Sequence, residues 1–185
     1  MRVITGTARG TNLKTPEGMH TRPTADRVKE GLFNVIQYEI HGEVLDLFAG
    51  TGQLGIEALS RGAAHAVFVD QRADAVGLVR ENLRRTHLSD RAEIYCGDYL
   101  TYLDRCTKRF DLIFLDPPYA EKSLENAILR ISEIDILADG GIIITERPRG
   151  KLLELELPGL TRSKDYNYGK TTITLFRRES REDIT

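Results

Sequence analysis

The chain has 185 residues, enough for one domain with its own core, and its formal net charge of −2 excludes nucleic-acid binding by bulk charge alone. Two cysteines, Cys96 and Cys106, exclude a disulfide framework, and four scattered histidines show no zinc-ligand spacing, so no metal is expected. No stretch has the apolar length of a bilayer span, and the opening Met-Arg-Val-Ile-Thr-Gly lacks the apolar core of a signal peptide; a cytoplasmic monomer with no membrane partner is expected.

Charge is not spread evenly. Residues 1–30 sum to +3 and the remainder to −5, a basic arm on an acidic body, which suits a polyanionic partner. The arm, residues 2–15, reads as a hairpin with Gly-Thr-Ala-Arg-Gly-Thr as turn material. Pro16 to Pro23 reads as loop. Thr24 is placed as a helix N-cap, and Val28, Leu32, Val35 and Ile36 form one apolar stripe, predicting a helix over 24–40.

From residue 44 strand and helix alternate. Strands are predicted at 44–48, 65–70, 92–96, 110–115 and 142–146, with helices at 53–61, 72–86, 99–105 and 122–136. The strands are nearly continuous Val/Ile/Leu/Phe runs, as in strands buried on both faces, so the fold class is α/β with a mostly parallel sheet. Cys96, within such a run, reads as a buried thiol. Asp139-Gly140-Gly141 reads as a turn. Leu160–Tyr166 and Lys170–Arg178 alternate around Asn167-Tyr168-Gly169, predicting an antiparallel C-terminal hairpin. The division is therefore a hairpin-plus-helix extension at 1–41, an α/β domain at 42–178 and a charged, frayed tail at 179–185.

Two loops carry the chemistry. Gly50-Thr51-Gly52-Gln53-Leu54-Gly55 follows the first strand and opens a helix, and Asp70 ends the next strand, a pattern that first suggests a dinucleotide. Asp46 argues against it. A carboxylate inside the first strand repels a pyrophosphate but accepts hydrogen bonds from an ammonium or from the turn amides. The second loop is Asp116-Pro117-Pro118-Tyr119, after the fourth strand. Two prolines remove N–H donors and leave carbonyls. Asp116 and Pro117 can accept both hydrogens of a planar amine while Tyr119 stacks on its ring.

Asp46-x-x-x-Gly50-x-Gly52, Asp70, Asp98 and Asp116-Pro117-Pro118-Tyr119 together resemble a class I S-adenosylmethionine-dependent amino-methyltransferase. Arg22-Pro23-Thr24 upstream and the ending Tyr168-Gly169-Lys170-Thr171-Thr172 narrow the likeness to the RsmD family of 16S rRNA (guanine-N2)-methyltransferases. The resemblance implies a Rossmann-like fold with a seven-stranded sheet, and S-adenosylmethionine as cofactor. It further implies that Gly50 and Gly52 pass under the methionine part, with Asp46 near its amino group and Arg22 and Thr24 near its carboxylate. Asp70 would accept from the ribose hydroxyls, Asp98 from the adenine amine, with Tyr99 at the ring; Asp116, Pro117 and Tyr119 would hold the guanine. The partner it implies is 16S rRNA or the assembling small subunit.

The alternatives are a DNA adenine-N6 or other nucleic-acid amino-methyltransferase, a nicotinamide oxidoreductase, and a non-catalytic RNA-binding module on the same fold. Phosphate contacts are expected from Arg2, Arg9, Lys14, Lys170, Arg177 and Arg178. If residues 2–15 are only an RNA-binding arm, their deletion should spare cofactor binding.

Overall fold

The computed structural model describes residues 1–18, 23–118, 122–151, 153, 155 and 157–178, with the backbone alone at 23–25. Helix α1 is Pro23–Val35. Proline suits a first helical position, where its fixed φ fits and its missing N–H costs nothing. Thr24 therefore lies inside the first turn rather than at the cap. The helix stops at Val35 rather than residue 40, and Glu39 N closes a further turn on Ile36 O at 2.9 Å.

The α/β alternation then follows: β1 Glu43–Asp46, α2 Gln53–Ser60, β2 His65–Asp70, α3 Ala73–Thr86, β3 Ala92–Cys96, α4 Tyr99–Arg105, β4 Phe110–Leu115, α5 Ser123–Ile134 and β5 Leu137–Pro148. Three short elements follow, β6 Leu160–Arg162, β7 Tyr166–Tyr168 and β8 Thr171–Arg178. Among the described residues the sheet has eight strands in the order β3-β2-β1-β4-β5-β8-β6, with β7 also on β8. β1 to β5 pair in parallel, and β8 runs antiparallel to β5.

The count of eight rather than seven has a local cause. β6 and β7 pair with different stretches of the same β8, so they are one edge strand interrupted at residues 163–165. There Asp165 accepts from Arg147 at 2.6 Å and from the Thr174 hydroxyl at 2.7 Å. Asp139-Gly140-Gly141 is an irregularity inside β5, not a turn before it. The register jumps between Phe110↔Leu137 and Leu112↔Ile142, and Gly140 takes a φ of 74°.

Each face of the sheet is covered. Val28, Leu32, Phe33 and Ile36 of α1 and its extension pack with α2 and α3 over Val44, Phe68, Phe114 and Ile144. Leu124, Ala127, Ile128 and Ile131 of α5 pack on the other face over Leu45, Val67, Ile113 and Ile143. Edge strand β3 is only partly covered, so Cys96 is exposed, contrary to the buried thiol its apolar neighbours suggest.

The N-terminal hairpin is reduced to one antiparallel bridge, Arg2↔Asn12. Val3 N and Leu13 N still donate across it to Thr11 O and Met1 O, each at 3.0 Å, while amides toward the turn are taken by helix α2: Ile4 N and Thr5 N donate to Glu57 at 2.8 and 3.0 Å, and Ala8 N donates to Ser60 Oγ at 3.0 Å. Val3, Ala8 and Leu13 share the core with α1 and α2. Gly6 lies so close to α2 that a Cβ there would be 1.8 Å from Ser60 O.

Candidate active site

Strand periodicity puts four carboxyl groups on one face at the C-terminal ends of the parallel strands. Val44, Phe68, Phe114 and Ile144 point into the same core, so the residues two further along, Asp46, Asp70, Asp116 and Glu146, continue that face. Ligands of open α/β sheets bind at this edge. A cavity of about 520 Å³ opens here, lined among others by Asp46, Gly50, Asp70, Asp98, Tyr99, Asp116 and Pro117.

The glycine turn fits a ligand that touches the backbone. Gly50 takes φ 55°, and a Cβ there would meet no protein atom within 4 Å, so only an open approach lies over it. Gly52 takes φ 77° and caps α2. Gly55 serves packing: a Cβ would be 2.4 Å from the Phe68 ring. Asp70 fastens the turn from outside, accepting Gly50 N through one oxygen and Arg72 N through the other, each at 2.9 Å.

Asp46 is 2% exposed and accepts Gly55 N at 3.0 Å. Burial pushes its carboxyl up to about 7; the nearby Asp70 charge adds to this, and the Gly55 hydrogen bond opposes it. A cation beside it would relieve that cost, which fits the amino end and sulfonium of S-adenosylmethionine. Asp98 caps α4 by accepting Thr101 N at 3.0 Å, and Tyr99 lies 4.9 Å from the Phe48 ring, an aromatic wall next to an acceptor. The donor and acceptor set suits an adenosine with a cationic tail.

Asp116 follows β4, and burial drives its carboxyl well above the usual carboxylate range, with the charges of Glu146 and Asp46 adding to the effect. Pro117 is buried and Pro118 exposed, both on the cavity wall. Among the described residues no group of three His, Cys, Asp or Glu side chains is placed to hold a metal ion, and no helix is long and apolar enough to cross a membrane.

The structure thus brings together Asp46, Gly50, Asp70, Asp98, Tyr99, Asp116 and Pro117 around one cavity, with Gly52 in the turn behind it. Arg22 and Tyr119 lie outside the described residues, and Thr24 is described by its backbone alone. Arg2, Arg9, Lys14 and Lys170 are exposed. Arg177 instead pairs with Glu39 at 2.8 Å, and Arg178 with Asp135 and with Asp139 at 3.2 Å. Two residues escaped sequence reasoning. Asn82, fully buried, holds Lys14 and the glycine turn together, with Nδ2 donating to Lys14 O at 3.0 Å and Thr51 O at 2.9 Å. Glu146 is the other; its parity with Ile142 and Ile144 was the available signal.

Residues 1–177 match the family described as conserved hypothetical protein 95. The chain is 37% identical over 157 residues to ribosomal RNA small subunit methyltransferase D of Haemophilus influenzae, covering 83% of this chain and 81% of that protein. The chain belongs to the RsmD family. The RsmD-family protein of that name from Escherichia coli K12 is 36% identical over 79% of this chain and 74% of its own length. Bacillus subtilis YlbH, whose name proposes an rRNA methyltransferase, is 42% identical over 96% of this chain and 99% of its own. Among solved structures, Escherichia coli YhhF, titled as a proposed methyltransferase, superposes with a TM-score of 0.87 at 31% identity, over 98% of this chain and 99% of that one.

Proposed function

We propose that this protein methylates the exocyclic N2 amine of a guanine in 16S ribosomal RNA, with S-adenosylmethionine as methyl donor. The observation that carries this reading is that Asp116 and Pro117 stand in the same cavity wall as the glycine turn, Asp46, Asp70 and Asp98. A carboxylate and a donor-free carbonyl loop facing a cation-and-adenosine site serve to present an amine to a methyl group.

When bound, S-adenosylmethionine supplies a methyl group already activated by the sulfonium, so the protein contributes position and polarisation. Asp46 would face the amino end, Asp70 the ribose, and Asp98 with Tyr99 the adenine. Asp116 and the Pro117 carbonyl accept the two amine hydrogens, which draws the nitrogen lone pair out of conjugation with the guanine ring. Tyr119 would stack on that ring, which requires a base splayed from its helix or held in a loop. The guanine amine does not ionise near neutral pH, so Asp116 acts as an acceptor and takes the proton after the new bond forms. No cysteine or histidine takes part in this scheme.

The RNA would be gathered by Arg2, Arg9, Lys14 and Lys170, with Arg177 and Arg178 also carrying structural ion pairs. The test is to incubate the protein with labelled S-adenosylmethionine and small ribosomal subunits lacking the modification, then digest and identify the methylated nucleoside. N2-methylguanosine in 16S rRNA is the expected product. Label in duplex DNA adenine, or no transfer to either substrate, overturns the proposal.

A further inference from the structure

Phe114 and Ile144 are register partners on the neighbouring parallel strands β4 and β5. Asp116 and Glu146 each stand two residues further along the same face, so their side chains emerge side by side where adjacent strands run ~4.8 Å apart. Asp116 lines the cavity and Glu146 does not. Glu146 stands behind it, half-buried, opposite Ile173 of β8 and beside Thr171.

We propose that Glu146 is a positioning residue for the methyl transfer, backing Asp116 across the β4–β5 seam and governing whether Asp116 meets the substrate amine as a carboxylate or as an acid. The inference rests on the methyltransferase reading above. Burial raises Asp116 most, and the Glu146 charge comes next, ahead of that of Asp46. Glu146 is itself raised by burial, against a hydrogen bond with Thr171. Other charges nearby are engaged elsewhere. Asp70 of β2 holds the Gly50 and Arg72 amides, Arg147 pairs with Asp165 at 2.6 Å, and Lys29 of α1 is held by Glu57 and feels Asp26. As the guanine nitrogen gains its methyl group it gives up one proton. Asp116 takes that proton, and the negative charge of the pair falls by one.

The test compares the unsubstituted protein with Glu146→Gln and Glu146→Asp. The pH profile of kcat on small subunits is read together with the protons released when S-adenosylmethionine binds, measured by calorimetry in buffers of different ionisation heat. Removing the like charge should move the acid limb of kcat in Glu146→Gln down by about one pH unit, leaving roughly tenfold more of its maximal activity at the foot of the unsubstituted profile. Proton release on binding should fall in Glu146→Gln, while Glu146→Asp should keep the original limb. An unmoved limb with unchanged proton release overturns the inference, whether or not kcat drops. Failure of the unsubstituted protein to bind S-adenosylmethionine or to methylate RNA overturns the methyltransferase reading itself.

Discussion

Asp70 accepts the amide hydrogen of Gly50 at 2.9 Å, so a carboxylate at the end of β2 fixes the glycine turn after β1. Its other oxygen holds Arg72 N, which ties down the loop at the head of α3. The same side chain is the one proposed to hold the cofactor ribose. Asp70→Ala should therefore lose both the ligand contact and the shape of the turn. A hydrogen bond to a charged group contributes about 1.5–3 kcal/mol, so S-adenosylmethionine affinity should fall roughly 10- to 100-fold by calorimetry. Asp70→Asn, which keeps one acceptor, should lose less.

Asp46 makes the stability of the ligand-free protein depend on pH. Its carboxyl is raised from 3.8 to about 7 in the fold, so folding favours the neutral acid. That contribution is complete below the unfolded value and is lost as pH rises through the folded one. Asp46→Asn keeps an acceptor for Gly55 N and cannot ionise. Its stability in urea denaturation should gain on the unsubstituted protein between about pH 4 and pH 7, by on the order of a few kcal/mol at the upper end, with a melting temperature that rises in step. The same substitution should weaken S-adenosylmethionine binding, because the compensating cation then meets no charge. A constant difference in melting temperature across that range would exclude this role.

The basic N-terminal segment is built into the core, which changes what its deletion should do. Glu57 is fully buried and accepts from Ile4 N, Thr5 N and, at 2.8 Å, Arg61 Nε, while Lys29 Nζ lies at 3.5 Å. Removing residues 1–14 takes two backbone donors from that carboxylate, leaving it to Arg61 and Lys29, and also frees Asn82 from one side of its bridge to Thr51. The deletion should lower the melting temperature and cofactor affinity together, where a detachable arm would spare the latter. Glu57→Gln leaves Lys29 and Arg61 without their buried partner and should cost about 3–5 kcal/mol in urea denaturation.

RNA contact is separable from this scaffold by removing charges alone. Arg9 and Lys14 are exposed, so Arg9→Ala and Lys14→Ala should keep the fold and S-adenosylmethionine affinity. If they touch phosphate, each should raise KM for ribosomal substrate and reduce the log–log salt slope by about one. Unchanged KM and slope in the double variant would remove both residues from the interface.

The parallel half of the fold was legible because each strand is an apolar run bounded by turn residues. β2, β3, α4 and β4 fall at the positions read from the sequence. What was not legible depends on contacts distant in the chain. Alternation across residues 160–166 reads as one strand, but the pull of Arg147 and Thr174 on Asp165 breaks it. The N-terminal hairpin was legible, with Val3 N and Leu13 N donating across it to Thr11 O and Met1 O, but its docking was not: Ile4, Thr5 and Ala8 N are held by Glu57 and Ser60 of α2. At the site, Asp46, Asp70 and Asp116 could be picked out because each ends a strand next to a loop with its own signature. Glu146 has no such marker. Thr145-Glu146-Arg147-Pro148 reads as the polar end of a strand until the β4–β5 register sets it beside Asp116.

The Asp-Pro-Pro-Tyr loop makes the most direct demand on the chemistry. Asp116 is proposed to make an interaction that matters as the amine becomes a nucleophile, whereas Asp46, Asp70 and the glycine turn are the proposed cofactor seat. Loss of an interaction made chiefly in the transition state lowers kcat without a matching change in ligand affinity. Asp116→Ala should therefore lose roughly 10²–10³-fold in kcat, the scale found when one such polar contact is removed from an active site. S-adenosylmethionine affinity should stay within a few-fold, or improve, since a carboxyl that resists ionisation has been taken from the wall. Tyr119→Ala should raise KM for RNA and lower kcat, and Tyr119→Phe, which keeps the ring, should be mild. Single-turnover methylation and calorimetry on the same preparations separate these effects. Equal losses of turnover and cofactor affinity in Asp116→Ala would move Asp116 from the acceptor role to the cofactor seat.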